Sequence, residues 1–314
     1  MTMMGDKVRI GIAMGGWPFP EPDPQMLWEY TDRMESLDID SIWFTDRIVS
    51  PLLSLETVVA MSFIASRTTK LKFGTSVIAL PLRNPTVLAK ELATIDFLSE
   101  GRCLPAVGLG TEDETEYEAC GTSKRVRVSR TEEAVEVMRL LWSQDEVSYQ
   151  GKHFTLRGVT VQPKPVQSSL PPIWFGGRSE PALKRTAKLG DGWLVSQAPP
   201  AEVADSIPKI KEMALQYDNH IEDDHYGAIF SYCFADSPRE AEQMAEPYNL
   251  RRRSDVPMRD MNAFGPPEVL SDLLDKYIEA GATKFALRPA CPPEMTHEQM
   301  EMLGNHIIPR YHKS

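Results

Sequence analysis

Several short stretches of this chain combine residue types that can do chemistry. At 174–179 the run Trp-Phe-Gly-Gly-Arg-Ser ends a β-type stretch with Gly176 and Gly177, passes through Arg178, and sets the Ser179 hydroxyl where a helical pattern begins. Backbone N–H groups freed by the glycines, together with a helix dipole, suit a phosphate. The same residues also suit an ordinary strand-to-helix turn with Ser179 as the cap, and the local sequence leaves both readings open. Gly74, Thr75, Ser76 and Val77 end another β-type run with small polar groups followed by a branched one. A flat polar ring could lie against that backbone, or the two hydroxyls could simply bond neighbours in a buried strand. Asp46 is the best-placed carboxylate for protonation or substrate orientation, with a salt bridge to Arg83 as the alternative. Arg288 offers a guanidinium clamp for an anion or a partner for a surface carboxylate. Gly15 and Gly16 follow the first β-type run and let backbone approach a ligand.

These residues need a scaffold, and the periodicity supplies one. β-type runs are expected at 8–13, 40–44, 71–77, 103–107, 173–175, 191–196, 226–234 and 283–288. Helical patterns alternate with them at 24–37, 54–66, around Val87, Leu88, Leu92, Ile95 and Leu98, at 126–142, from 180, and at 201–217, 265–280 and 297–306. Eight strand–helix pairs are the count of an α/β fold of the (β/α)₈ (TIM) barrel type, one domain over 1–314. Two stretches exceed it: an extended ribbon at 145–172 after the fourth strand–helix pair, and a second insertion at 237–264 after strand seven, holding the basic triplet Arg251, Arg252 and Arg253. The acidic run 112–118 reads as a solvated lid. Trp17, Trp43, Phe44, Trp174 and Trp193 lie in or beside strands, where most large aromatics pack into a core. Chemistry on such a barrel belongs to the loops after the strands, where every candidate above falls.

Composition narrows the class. The 314 residues are 42% apolar, enough to fill a large core, and the formal net charge of −11 disfavours nucleic acid and anionic membrane as main partners. Four scattered cysteines without a Cys-x-x-Cys pair suggest reduced thiols. No signal-like N-terminus and no long apolar stretch occur, so a soluble cytoplasmic protein is expected. Gly-x-Gly-x-x-Gly after the first strand, Gly-Lys-Ser/Thr, Gly-x-Ser-x-Gly and His-Glu-x-x-His motifs are all missing. No metal site is expected, and the hard chemistry falls to an organic cofactor.

Read in order, WFTDR at 43–47, RTTKLKFGTSVIALPLRNPTVLAKELATIDFLSEGR at 67–102, VGLG, RTEEAVEVMRLLW, PKPVQ, PPIWFGG and LGDGW resemble the luciferase-like superfamily of flavin-dependent oxidoreductases. The resemblance implies a TIM barrel, usually a homodimer, that binds FMN or the deazaflavin F420 at the carboxyl ends of the strands. Carried over by position, it implies a non-prolyl cis peptide near Ser76 and Val77 behind the ring. It also implies Gly108 and Gly110 near the ring, and Gly176, Gly177, Arg178 and Ser179 at the phosphate. Arg47 stands where many relatives carry His. Gly108-Leu109-Gly110 stands where many FMN monooxygenases carry Asn, and so resembles the deazaflavin users.

Two mechanistic branches follow. With F420, a hydride would pass directly between cofactor and a small organic substrate. With FMN, a separate reductase would supply reduced flavin and O₂ would oxygenate the substrate. The rival classes are a flavin-binding barrel without catalysis and a cofactor-free barrel lyase or isomerase. Specificity would lie in the two insertions and the WPFPEPDP loop.

Overall fold

The computed structural model describes residues 8–167, 170–249 and 253–312. Eight parallel strands close into a ring. They are Arg9–Met14, Ser41–Phe44, Lys72–Thr75 continued by Ile78–Ala79, Cys103–Leu104 continued by Ala106–Gly108, Trp174–Phe175, Gly192–Ser196, Tyr226–Cys233 and Lys284–Pro289. Each pairs with the next, and the eighth returns to the first with Arg9 opposite Lys284 and Ile12 opposite Leu287. The expected (β/α)₈ barrel is therefore the fold, and helical connections link successive strands in the way parallel pairing requires.

Strands three and four are each interrupted. The third breaks at the Ser76–Val77 bond, which is cis. The fourth breaks at Pro105, which has no N–H to give to a ladder. Thr75 repairs the seam: its Oγ1 donates to Ala106 O at 2.6 Å and accepts from Ala106 N at 2.9 Å. One hydroxyl thus stands in for a missing pair of backbone bonds.

Inside the ring, Ala13, Trp43, Ala106, Trp174, Leu194, Ile229 and Ala286 form one buried cluster with Val77 and Leu104 against it. Two indoles fill a narrow barrel only if their neighbours are small. A Cβ on Gly74 would lie 2.7 Å from the Trp43 ring, and one on Gly192 would lie 2.5 Å from Trp174. Trp193 and Phe44 are also buried, as expected of the strand aromatics. The larger core lies between the strands and the surrounding helices.

Helix starts follow local chemistry. The helix Pro85–Leu98 begins with Pro at its first turn after Asn84, whose side chain accepts from Thr86 N and Val87 N. The second helix, expected from residue 54, instead spans Thr57–Arg67, because the Glu56 carboxylate caps Val59 N. The acidic run is exposed at Glu112, Asp113, Glu114, Thr115 and Glu118, as expected of a solvated stretch, but Glu114–Ala119 is a helix and Glu116 is fully buried. Its carboxylate accepts from Ile48 N at 2.8 Å, Val49 N at 3.2 Å and Thr111 Oγ1 at 3.2 Å. The last helical region starts at Thr296 and continues through a π-helical turn, Leu303–Ile307, to Ile308–Tyr311.

The first insertion holds the antiparallel hairpin Val147–Gln150 and Thr155–Val159, as expected of a ribbon. Glu133 pins its turn by accepting from the N–H groups of Lys152, His153 and Phe154. The second insertion contributes the helix Pro238–Ala245 and the short strand Ala263–Phe264, which pairs with the end of strand seven. Among the described residues, no helix is long and apolar enough to cross a membrane.

Candidate cofactor and active site

A cavity of about 1170 Å³ opens over the carboxyl ends of the strands. Its floor is the top layer of the barrel interior, where Ala13, Val77, Leu194 and Ile229 belong both to the buried cluster and to the cavity lining. Val77 is the central feature of that floor. A Cβ on Gly108 would come 2.6 Å from Val77 Cγ2, and one on Gly176 would come 3.5 Å from Val77 Cγ1. The two glycines leave the space that the Val77 side chain fills just beyond the cis bond, so a smooth apolar bulge stands up from the floor. That is a cradle for a flat ring, closed on one face by valine and bordered by backbone.

At one end of the cavity, Gly176, Gly177, Arg178 and Ser179 form the turn into the helix Glu180–Leu189. Gly177 has φ +103°, a conformation that side chains other than glycine rarely adopt. Its carbonyl accepts the Trp193 indole N–H at 2.8 Å, which fixes the turn. Ser179 occupies the cap position, yet its side chain makes no capping bond. Its carbonyl instead takes Ala182 N and Leu183 N. Pro181 has no N–H and Ala182 and Leu183 give theirs to Ser179, so it is the Ser179 hydroxyl, without a capping bond, and the backbone of the glycine turn that this end offers to an anion.

Arginines gather around the cavity despite the acidic chain. Arg127, Arg178 and Arg185 line it on the side of the turn, Arg47 and Arg288 line it from the ends of strands two and eight, and Asp46 and Glu112 are the acids among them. Arg178 lies 3.8 Å from Glu202. Glu202 also receives Arg253 at 2.5 Å, and Arg253 bonds Asp255 at 2.6 Å and the Gln197 carbonyl at 2.9 Å. Of the basic triplet, Arg251 and Arg252 lie outside the described residues, and Arg253 ties the second insertion to strand six.

Asp46 lines the cavity but is only 5% exposed. Its oxygens accept from Arg83 Nη2 at 2.6 Å, Arg83 Nε at 3.3 Å, Thr57 Oγ1 at 3.2 Å and Ala79 N at 3.1 Å. Burial works against the Arg83 charge, but the pull of Asp46 and Glu56 outweighs it and raises the Arg83 pKa. The salt bridge weighed from the sequence is thus present. Thr75 is fully buried and absent from the lining, its hydroxyl spent on Ala106, so it supports the floor from beneath.

The other candidates come together. Gly15, Ser76, Val77, Gly108, Gly110, Gly176, Gly177, Arg178, Ser179 and Arg288 all line the one cavity. Gly15 lies over Arg288, with a Cβ there 3.5 Å from Arg288 Nε. Gly110 has φ +82°, and a Cβ there would strike Tyr117 Oη at 2.7 Å. Tyr117 Oη donates to Leu109 O at 2.5 Å and also lies 3.0 Å from Thr111 O, and burial raises its pKa. Cys291 also lines the cavity, and burial pushes its thiol up to about 11, so it stays protonated.

Reading the sequence missed Leu52, Leu53, Arg127, Arg185, Tyr248, Asn249 and Thr296 as cavity residues. Arg127 and Arg185 sit in helices, where a charged residue gives the same pattern whether it faces a ligand or water. Leu52 and Leu53 gave a weak signal, two leucines in a loop otherwise rich in Ser and Pro.

A family model described as luciferase-like monooxygenase matches residues 9–284. The F420-dependent glucose-6-phosphate dehydrogenase of Kineococcus radiotolerans is 28% identical over 197 residues, covering 60% of this chain and 57% of that protein. This chain therefore spans less than two thirds of that curated relative's length. Among solved structures, an F420-dependent secondary alcohol dehydrogenase in complex with an F420-acetone adduct superposes with a TM-score of 0.79 at 23% identity, covering 98% of this chain and 100% of that one. The oxygenating constituent of 3,6-diketocamphane monooxygenase from Pseudomonas putida, in complex with FMN, gives 0.79 at 13% identity, covering 97% and 98%. Both likenesses are to the same barrel. Since the matched model spans residues 9–284, well over half the chain, this protein belongs to the luciferase-like monooxygenase family.

Proposed function

We propose that this chain is an oxidoreductase that binds F420 and transfers a hydride between it and a small organic substrate. The observation that carries this reading is the floor: Val77 raised between Gly108 and Gly176, with the Gly176–Ser179 turn at one end of the same cavity. A tricyclic ring resting on Val77 would send its phosphate-bearing side chain towards that turn, and the arginines of this end supply charge for the anionic tail. The curated relative named above is F420-dependent, which supports the deazaflavin over FMN. When bound, the deazaflavin supplies the hydride-accepting carbon. The chain would orient its ring on Val77, hold its phosphate at the turn, and close one face against the apolar floor, so that substrate would meet the other face.

Asp46 enters this reading as an anchor. Its carboxylate is engaged by Arg83, Thr57 and Ala79 N, so it holds the Ile78–Ala79 segment beside Val77 rather than moving a proton. A homodimer belongs to the same proposal: Val59, Val87, Phe97 and Leu98 lie exposed on helices two and three, apolar surface that a second copy would cover. Sedimentation velocity tests that point.

Titration of the chain with F420, FMN and reduced FMN, followed by tryptophan fluorescence, tests the cofactor. Micromolar binding of F420 with weaker FMN is expected. Preference for reduced FMN would replace hydride transfer with oxygenation fed by a reductase. Binding of none would remove the cofactor assignment.

A further inference from the structure

Tyr30, on the helix Pro24–Ser36, lines the cavity and is fully buried, yet its Oη bonds no protein group. Other buried tyrosines show the usual arrangement. Tyr117, Tyr232 and Tyr277 lie as deep, and each gives its hydroxyl to a backbone carbonyl, of Leu109, Gln299 and Ala198 in turn. Tyr226 Oη also lacks such a bond, but Tyr226 does not line the cavity.

Rings on two sides hold the phenol in place. Phe19 packs edge-on at 5.3 Å and His297 at 5.2 Å, and Trp17 backs Phe19 at 5.2 Å. Burial holds the Tyr30 pKa well above its ordinary value, so the hydroxyl keeps its proton. Nearby donors are spent. Thr296 Oγ1 donates to Pro18 O at 2.7 Å, the Trp17 indole N–H goes to Glu21 O at 2.6 Å, and Pro18 and Pro293 have no N–H. A buried hydroxyl without a partner is costly, and the open direction for this one is the cavity.

The position of this corner in the ring gives it a use. Met14 ends strand one and Cys291 follows strand eight, and both line the cavity. In a closed ring of eight, strands one and eight stand opposite strands five and four, which bring Gly176 and Gly108 to either side of Val77. We propose that Tyr30 Oη binds substrate, donating to a hydrogen-bond acceptor at the end remote from the reacting carbon. The words reacting carbon rest on the hydride-transfer reading; the donor rests on Tyr30 alone. With the cofactor ring on Val77, a substrate whose reacting carbon lies over that ring extends across the mouth to reach Tyr30. An apolar group arriving there leaves the hydroxyl unpaired, whereas an acceptor pairs it. Tyr30 thus selects acceptor-ended substrates over homologues of the same shape that lack the acceptor.

Benzonitrile and phenylacetylene test this as probes, since they match in shape and only the nitrile is a good acceptor. By calorimetric titration, benzonitrile is expected to bind about fivefold more tightly than phenylacetylene. Tyr30→Phe keeps the ring and should abolish that preference. The infrared nitrile stretch of bound benzonitrile should lie at higher wavenumber in the unaltered chain than in Tyr30→Phe. Equal affinities in the unaltered chain, no binding of either probe, or a preference and stretch unchanged by Tyr30→Phe overturns the proposal. The thermal midpoint of Tyr30→Phe without probe should hold or rise. A fall of more than about 3 °C would mean that the hydroxyl is already satisfied, by water for instance, and also overturns it. The F420 titration should be the same in both chains. Weaker F420 binding in Tyr30→Phe would assign the hydroxyl to the cofactor and overturn the substrate role. Failure of both chains to bind F420, with the nitrile results as expected, would remove the cofactor reading and leave the Tyr30 subsite standing.

Discussion

Arg83 Nη2 lies 2.6 Å from Asp46 Oδ1 while its Nε lies 3.3 Å from Oδ2, so a forked ion pair holds the carboxylate that ends strand two. The same carboxylate accepts Ala79 N at 3.1 Å, two residues beyond Val77. Asp46 thereby ties the cavity floor to strand two. Asp46→Ala is expected to cost about 3 kcal/mol, because it leaves the largely buried Arg83 with Glu56 alone and takes the acceptor from Ala79 N and Thr57 Oγ1. Arg83→Met combined with Asp46→Leu should recover part of that loss in a double-mutant cycle followed by urea unfolding. Two losses that merely add would mean that the pair is not coupled.

Val77 and Gly108 make a second linked pair. Gly108→Ala would place a methyl 2.6 Å from Val77 Cγ2, and the branched side chain has few rotamers into which to retreat. F420 affinity is expected to fall at least about tenfold, roughly 1.4 kcal/mol. Adding Val77→Ala should relieve the clash. The thermal midpoint, measured alongside, should fall in Gly108→Ala and recover in part in the double variant.

Thr75 predicts an effect on stability first. Thr75→Val keeps the shape but removes both bonds to Ala106, at a cost of about 1–3 kcal/mol for the buried groups left unpaired. Thr75→Ser should retain most of the stability. A loss in Thr75→Ser that exceeds the loss in Thr75→Val, read from denaturant midpoints, would assign the role to the methyl group.

At the opposite end of the barrel, Asp40 is buried with Lys284 at 3.0 Å and Lys72 at 3.2 Å. Burial alone would raise the Asp40 pKa, but the two lysines outweigh it and hold it well below the usual carboxylate range. Burial lowers the Lys284 pKa, against the pull of Asp40. For Asp40 the unfolded chain takes up a proton near pH 4, where the folded chain does not, so stability present above that pH is lost as pH falls further. Asp40→Asn combined with Lys284→Met removes both buried charges and should give a flatter stability curve from pH 5 down to about 3. Urea unfolding across that range checks the slope.

The local residues determined a good deal. Alternating β-type runs and amphipathic helices specify eight strand–helix units because each element must bury one face, and the ring closes because every strand needs a neighbour on both edges. The glycine-rich turn at 176–179 and the small-residue end of strand three were visible as types and spacing, since a close backbone approach needs residues without bulk. The resemblance of motifs in order pointed to the cis bond at Ser76–Val77, which the structure contains.

Only tertiary structure could decide which polar groups were already engaged. Asp46 and Glu116 look alike as loop acids, yet one is bound to Arg83 and the other is buried against Ile48 N and Val49 N, partners 37 and 67 or more residues away. Thr75 and Ser76 are adjacent hydroxyls, and the barrel turns one into a seam and leaves the other on the cavity. One side of the cavity is built by three loops from opposite ends of the chain, where Thr296 meets Pro18 and Trp17 meets Leu53. Such contacts depend on where strands one, two and eight fall in the closed ring, a long-range property that no local window of sequence contains.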